Sequence, residues 1–172
     1  MLEKYLPSPR DTWAWRNAQS EDITDIVNMA VSMFQHEIQP VFTPDPKLLS
    51  KHLAQAIAAQ TYAPLEQQVI VARDRTTDAL VAWAWLGRGG YAVYAPEECA
   101  EAHFAHIDLN LSTRARVTIM AQILQQWVLW CMMAGVPVLV STSIREDQKG
   151  FFHIHEAAGF MVRGSLAYLR VK

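Results

Sequence analysis

The sequence predicts an α/β (α+β) domain built on a mixed central β-sheet of about six to seven strands flanked by helices. Three observations carry that prediction. Residues 68–72 (Gln-Val-Ile-Val-Ala) and 80–86 are short apolar runs separated by a polar turn at 74–78, the pattern of a β-hairpin. Residues 103–160 read as a strand, a basic turn, a long apolar helix, a second strand and a further helix, hence a βαβ unit. The 172 residues are 51% hydrophobic and 19% charged, with no internal repeat, which fits one domain able to bury a core without disulfides or metals.

Residues 1–11, with Pro7 and Pro9, read as an N-terminal arm leading into a single domain over 12–172. Residues 12–17 alternate as a first strand containing Trp13 and Trp15, tryptophan being a good strand former. Ser20 fits a helix N-cap, with Glu21 and Asp22 complementing the dipole. Ile23, Ile26, Val27, Ala30, Val31 and Phe34 then keep helical spacing, and that helix stops before Pro40. Asp45 and Pro46 supply the cap and first turn of a second helix, outlined by Leu49, Leu53, Ala56, Ile57 and Gln60 and ending near residue 60. In the hairpin, Val81, Trp83 and Trp85 share a face. The run Gly87-Arg-Gly-Gly90 has no helix start after it, so it reads as a plain turn ending the strand rather than a phosphate cradle. Residues 91–102, with Pro96, Glu97, Glu98 and Glu101, form a mixed connection with room for a short helix.

In the strand at 103–111, Ala105, Ile107, Leu109 and Leu111 point one way and His106, Asp108 and Asn110 the other. Strands of parallel sheets are normally apolar on both faces, so this polar face is expected to meet water, a ligand or polar partners. The turn at 112–116 carries Arg114 and Arg116 beside a helix N-terminus, where outward amides favour anions. In the helix beyond it, Ile119, Met120, Ile123, Leu124, Trp127, Trp130 and Ala134 cover most of the circumference, so it is sandwiched or covers an interface. Residues 117–144 contain no Asp, Glu, Lys or Arg. Gln122, Gln125 and Gln126 interrupt the helix and a strand pattern follows, so it reads as a buried helix and not a membrane span. A strand at 136–140, a helix ending at Gly159 and a terminal strand pair at 160–163 and 166–171 complete the order β-α-α-β-β-β-α-β-α-β-β.

The net charge of −2 argues against a nucleic-acid binder, which needs clustered positive charge. Six tryptophans without interleaved basic residues read as core or interface rather than a base-stacking platform. Cys99 and Cys131 show no paired spacing. His106 and Asp108 share a strand face, His103 does not, and no thiolate completes a set, so no metal site is expected. The first residues lack an apolar signal core, which implies a cytoplasmic protein.

The element order, together with His155-Glu-Ala-Ala-Gly-Phe160, resembles the GCN5-related N-acetyltransferase (GNAT) superfamily over roughly residues 12–171. The sequence His155-Glu-Ala-Ala-Gly-Phe160 is similar to the Tyr/His-Glu-x-x-Gly-Phe ending of that family's last helix. The resemblance implies a fourth strand that splays from the fifth, with acetyl-coenzyme A (acetyl-CoA) in the opening. The family's phosphate turn, Arg/Gln-x-x-Gly-x-Gly/Ala, is best matched by Arg116-Val-Thr-Ile-Met-Ala121, with Ile119 at the middle glycine. The cofactor residues implied are Leu109, Leu111, Arg114, Arg116, Val117, Thr118, Ile119 and Ala121. A branched side chain at 119 crowds the approach of backbone amides to a pyrophosphate.

Direct acetyl transfer to an amine needs a base, a polarised thioester carbonyl and an acid for the leaving thiolate. The resemblance places the base at His106 or Asp108 and the acid at His155. His155 beside Phe151, Phe152 and Ile154 equally fits a packing histidine. The acceptor, a small-molecule or protein amine, is expected around residues 36–42; His36, Glu37, Lys47, Lys51 and His52 nearby match no single substrate charge. The alternative is a catalytically inactive GNAT-fold subunit of an assembly, for example a tailed-phage virion component. Its tryptophan and methionine content would then serve a homo-oligomer or larger complex.

Overall fold

A computed structural model describes residues 7–37, 42–91, 93–142 and 149–163, with the backbone alone at 35–37. The alternating tryptophan run forms β1 (Trp13–Asn17), antiparallel to β2 (Gln67–Asp74). β2 pairs antiparallel with β3 (Leu80–Tyr91), and β3 with β4 (Glu98–Ile107). β5 (Val138–Val140) lies parallel to β4, giving a mixed sheet in the order β1-β2-β3-β4-β5. Five strands lie among the described residues. Residues 160–163, expected as half of a terminal strand pair, are not a strand, and 166–171 lie outside the described residues.

Helices α1 (Ile23–Glu37) and α2 (Pro46–Tyr62) cover one face of the sheet. Asp45 caps α2 as expected, its Oδ1 accepting from the amides of Lys47 and Leu48 at 3.0 Å each. The five residues read as the inner stripe, Leu49, Leu53, Ala56, Ile57 and Gln60, are its buried ones. Gln60 is useful there: its Oε1 accepts from the Val69 amide at 2.5 Å, stitching α2 to β2. On the opposite face lies α3 (Thr113–Ala134), with α4 (Lys149–Ala157) packed beside it. α3 is long and apolar enough to cross a membrane; in this fold it is the core helix, with Ile119, Ile123, Leu124 and Trp127 against the sheet. Both α3 and α4 end on a left-handed glycine, Gly135 (φ 68°) and Gly159 (φ 94°). The Phe160 amide then donates back to the His155 carbonyl and that of Gly159 to Glu156, both at 2.9 Å, a Schellman ending that only glycine adopts without strain.

Two buried polar side chains fix the layers. Gln122, in the middle of α3, accepts through Oε1 from the indoles of Trp13 at 2.9 Å and Trp15 at 2.7 Å and donates to Asp11 at 2.8 Å. The uncharged middle of α3 thus holds the outer strand through one amide. On the other face Asp22 is fully buried between Arg16 and Arg73. Burial pushes its carboxyl up, but hydrogen bonds from Arg16, the Gln19 amide and Arg73 outweigh that and hold it below the usual carboxylate range. Ser20 is accordingly not the cap. It opens a 3-10 turn (Ser20–Asp22) into α1, and the Asp22 carboxylate reaches back to the Gln19 amide at 2.8 Å.

Three expectations change in the hairpin region. β3 does not stop at Leu86 but runs through Gly87-Arg-Gly-Gly90 to Tyr91, because these glycines pair with β4 across a register shift instead of turning. Residues 98–102, expected as connection, are the first half of β4. Val81 leaves the face of Trp83 and joins Ala82 and Ala84 on the α3 side, beside the bulge between Ala72 and Arg73.

Replacing Gln122 by Leu removes the acceptor from two indole N–H groups while keeping the apolar volume. It is expected to destabilise the fold by about 2–4 kcal/mol, seen as a lower urea midpoint at unchanged slope.

Candidate functional site at the parting of β4 and β5

The parallel pairing of β5 with β4 covers only Cys99–Val138, Ala100–Leu139 and Glu101–Val140. β5 ends there, while β4 continues to Ile107, paired among the described residues with β3 alone. At roughly 3.3 Å per residue this leaves an open edge about 20 Å long. The Asp108 amide bonds to the Val81 carbonyl at 2.9 Å, so His106, two residues back, also turns its backbone groups to β3. The N–H and C=O groups of Ala105 and Ile107 therefore face the opening.

The wide end of the opening is closed by residues 108–112 and the start of α3. Asp108 Oδ1 accepts from the amide and the side-chain nitrogen of Asn110 at 2.9 Å each, and the Leu111 amide reaches the Asp108 carbonyl at 3.3 Å. Asp108 and Asn110 thus form a turn beyond the strand and do not extend the His106 face. Ser112 is the N-cap of α3, its Oγ accepting from the Ala115 amide at 3.3 Å. The first-turn amides of Thr113 and Arg114 are not used by this cap and point outward.

The helix begins three residues before Arg116, which moves the whole expected phosphate turn inside it. Ile119 (0% exposed) is a core residue against the sheet, and Ala121 (1%) is buried as well. Thr118 bonds back to the Arg114 carbonyl at 3.0 Å, and Val117 is exposed on the outer side. Ile119 therefore crowds no ligand, because its side chain points into the core. Leu109 is exposed, Leu111 packs at the edge of the α3-side core, and the Arg114 side chain is exposed. Arg116 is half-buried and donates weakly to Thr113 Oγ1 at 3.4 Å, while its Nε meets no protein acceptor.

The candidate base and acid positions also change. His106 is buried (2% exposed), its ring edge-on to Trp83 at 5.1 Å and to Phe104 at 5.6 Å on the α1–α2 side. His155 (1% exposed) donates from Nδ1 to the Phe151 carbonyl at 2.8 Å, so its neutral ring accepts the Ser141 hydroxyl at Nε2, 3.0 Å away. Phe151 lies over the ring at 3.8 Å and Phe160 against its edge at 5.0 Å. Burial pushes the His155 pKa down, opposed by the bond to Phe151. Both nitrogens are engaged, which makes this histidine a strut between α4 and the residue that follows β5. The expected acceptor region at 36–42 lies largely outside the described residues; within it, Phe42 is half exposed.

His103, weighed in the sequence only as a metal ligand, takes a different place. A bulge in β4 sets Phe104 opposite Trp85 and Ala102 opposite Leu86, leaving His103 as the extra residue. Its ring meets Trp85 edge-on at 4.9 Å and reaches over Gly87, near the narrow end of the opening.

No family model matches the chain, and no curated protein matches it. Solved structures do. An aminoglycoside 6'-N-acetyltransferase from Acinetobacter baumannii superposes with a TM-score of 0.66 at 14% identity, covering 93% of this chain and 98% of its own. A glucosamine-6-phosphate N-acetyltransferase from Arabidopsis thaliana gives 0.65 at 10% identity, over 94% and 100%. A predicted acetyltransferase from Clostridium acetobutylicum, solved with acetyl-CoA, gives 0.68 at 13% identity, over 92% and 96%. The chain has the α+β fold of the GNAT acetyltransferases. Its neighbours in that fold include N-acetyltransferases and one structure that holds acetyl-CoA.

His155 has a pKa below its unfolded value, so its contribution to stability is present above about pH 6.5 and falls away as the pH drops through that value. Thermal melts from pH 8 to 5 are expected to show a steeper fall in Tm for the wild type than for His155→Phe. Parallel curves would show that the ring does not stay neutral in the fold.

Proposed function

We propose that the chain is a GNAT-type acyltransferase that moves an acetyl group from acetyl-CoA to an amine, carried by a small molecule or a protein. The observation that carries this reading is the open edge of β4 running from the Glu101–Val140 contact to the N-terminus of α3. Backbone groups of Ala105 and Ile107 face the opening, where an extended amide-bearing arm would add to the sheet edge as a strand does. The unused amides of Thr113 and Arg114, the helix dipole and the Arg114 guanidinium fit a pyrophosphate at the wide end. Half-buried Arg116, with Nε free of protein acceptors, adds charge behind them. The amides here come from the first turn of a capped helix, so no glycine loop is required. In this reading the thioester lies at the narrow end, beside the bulge.

A second reading, a non-catalytic subunit of an oligomer or larger assembly in the cytoplasm or a virion, draws on a different observation. The outer side of α3 exposes Leu129, Met132 (73%) and Met133 (67%), and β5 exposes Val138 and Val140. Apolar surface of this kind commonly marks an interface.

Isothermal titration separates the two. Acetyl-CoA is expected to bind, and Arg114→Ala to weaken it roughly tenfold or more, the usual worth of a charge-assisted bond. Ile119→Gly is expected to destabilise the protein by about 3–5 kcal/mol through a core cavity and a helical glycine, rather than to tighten the ligand. No heat at millimolar acetyl-CoA overturns the enzyme reading.

A further inference from the structure

The side chains of His103 and Glu101 lie on the glycine run that the sequence presents as a simple turn. A Cβ at Gly87 would stand 2.8 Å from His103 Nε2 and 2.9 Å from the Gln67 amide, so the missing side chain is what admits the imidazole. A Cβ at Gly90 would collide with the Glu101 carboxylate. Gln67 is itself held by the Trp85 indole, which donates to its Oε1 at 2.7 Å. The two glycines thus form a shelf on β3 across which the two β4 side chains lie. Arg88, between them, is occupied by Glu98 at 2.5–2.7 Å. Glu101 is the charged group felt by His103 in this setting.

The two β4 residues whose side chains cross onto this shelf are those at which the sheet parts. Glu101 is the last β4 residue with a β5 partner, and His103, the bulged residue, follows it after Ala102. The bulge turns His103 to the same side as Phe104 and Trp85 while leaving it exposed. His106 is sealed among Trp83 and Phe104, and His155 has both nitrogens engaged. Among the described residues of β4, His103 is the exposed imidazole at the narrow end.

Resting on the acetyltransferase reading above, we propose that His103 is the base that takes the proton of the acceptor amine, with Glu101 drawing in that amine as its ammonium ion. The first ammonium proton passes to the imidazole and on to water. The nitrogen lone pair forms the C–N bond as the thioester C–S bond breaks, and a second proton leaves nitrogen for the departing thiolate. Packing against Trp85 and Gly87 removes water from the ring and lowers the His103 pKa, against the opposite pull of Glu101, which keeps the base form available at neutral pH.

The test is steady-state acetylation of an amine panel (an aminoglycoside, glucosamine 6-phosphate, a polyamine and a peptide N-terminus) with acetyl-CoA, after titration has measured acetyl-CoA binding. His103→Ala is expected to bind acetyl-CoA as the wild type does, lose about a hundredfold or more in kcat/KM for the best amine, lose the acidic limb of its pH profile, and recover with added imidazole. Gly87→Ala, which displaces the ring without removing it, is expected to lower kcat and shift that limb. A full-rate His103→Ala enzyme with the limb intact overturns the proposal, as does a wild type that binds acetyl-CoA and acetylates none of the panel. Absence of acetyl-CoA binding instead removes the reading on which the proposal rests.

Discussion

The chain leaves the edge of β4 at Val140, and one hydrogen bond holds it where it goes. Ser141, the next residue, gives its hydroxyl to His155 on α4, whose other nitrogen is tied to the Phe151 carbonyl. Pro137 precedes β5 and offers no amide to a ladder, which limits where the strand begins. With pairing stopped there, β4 presents half its length as an unpaired edge. The residue that follows β5 is thus tied to α4 at the point where pairing with β4 stops. The histidine that resembles a catalytic acid in the sequence is buried there, with both ring nitrogens bonded within the protein.

An open edge inside a small domain needs a rigid surround, and polar pins supply it from both sides. Gln122 joins α3 to β1 through two indoles, and Gln60 joins α2 to the start of β2. Asp22 gathers Arg16 from β1 and Arg73 from β2 beneath the start of α1. Asp22 and Gln122 are buried and bonded to several partners, so loss of either leaves its donors unsatisfied. None of these pins involves the exposed His103, Glu101 or Arg114.

The helices were legible because their signals are local: the Asp45-Pro46 start, the inner stripe of α2 and the glycine endings of α3 and α4 read directly from the residues. The bounds of β4 were not. Its first half, Glu-Cys-Ala-Glu-Ala, is poor in strand formers and is held extended by neighbours on both sides. Its end was overrun because Asp108, Leu109, Asn110 and Leu111 keep the alternating pattern, while Asp108 turns the chain with its own carboxylate. The bulge at His103 has no sequence signal of its own; the glycines at 87 and 90 were the trace of it, visible only once β4 is known to lie across them.

Ile119 shows how far a register error propagates. Read as the middle of a phosphate turn, a branched residue there speaks against any anion. With Ser112 as cap, position 119 falls nearly two turns into α3 and faces the sheet, where an isoleucine is what the core needs. In the proposed reading the residues placed to meet an anion are Thr113, Arg114 and Arg116, and the relevant physics is that of a capped helix end with adjacent guanidinium groups rather than a glycine loop. Among the described residues, the backbone approaches such an anion from the first turn of α3. Binding that leans on side-chain charge more than on backbone amides is screened by salt, so the ionic-strength dependence of acetyl-CoA affinity is the property in which this site should depart from a glycine-loop site of the same fold.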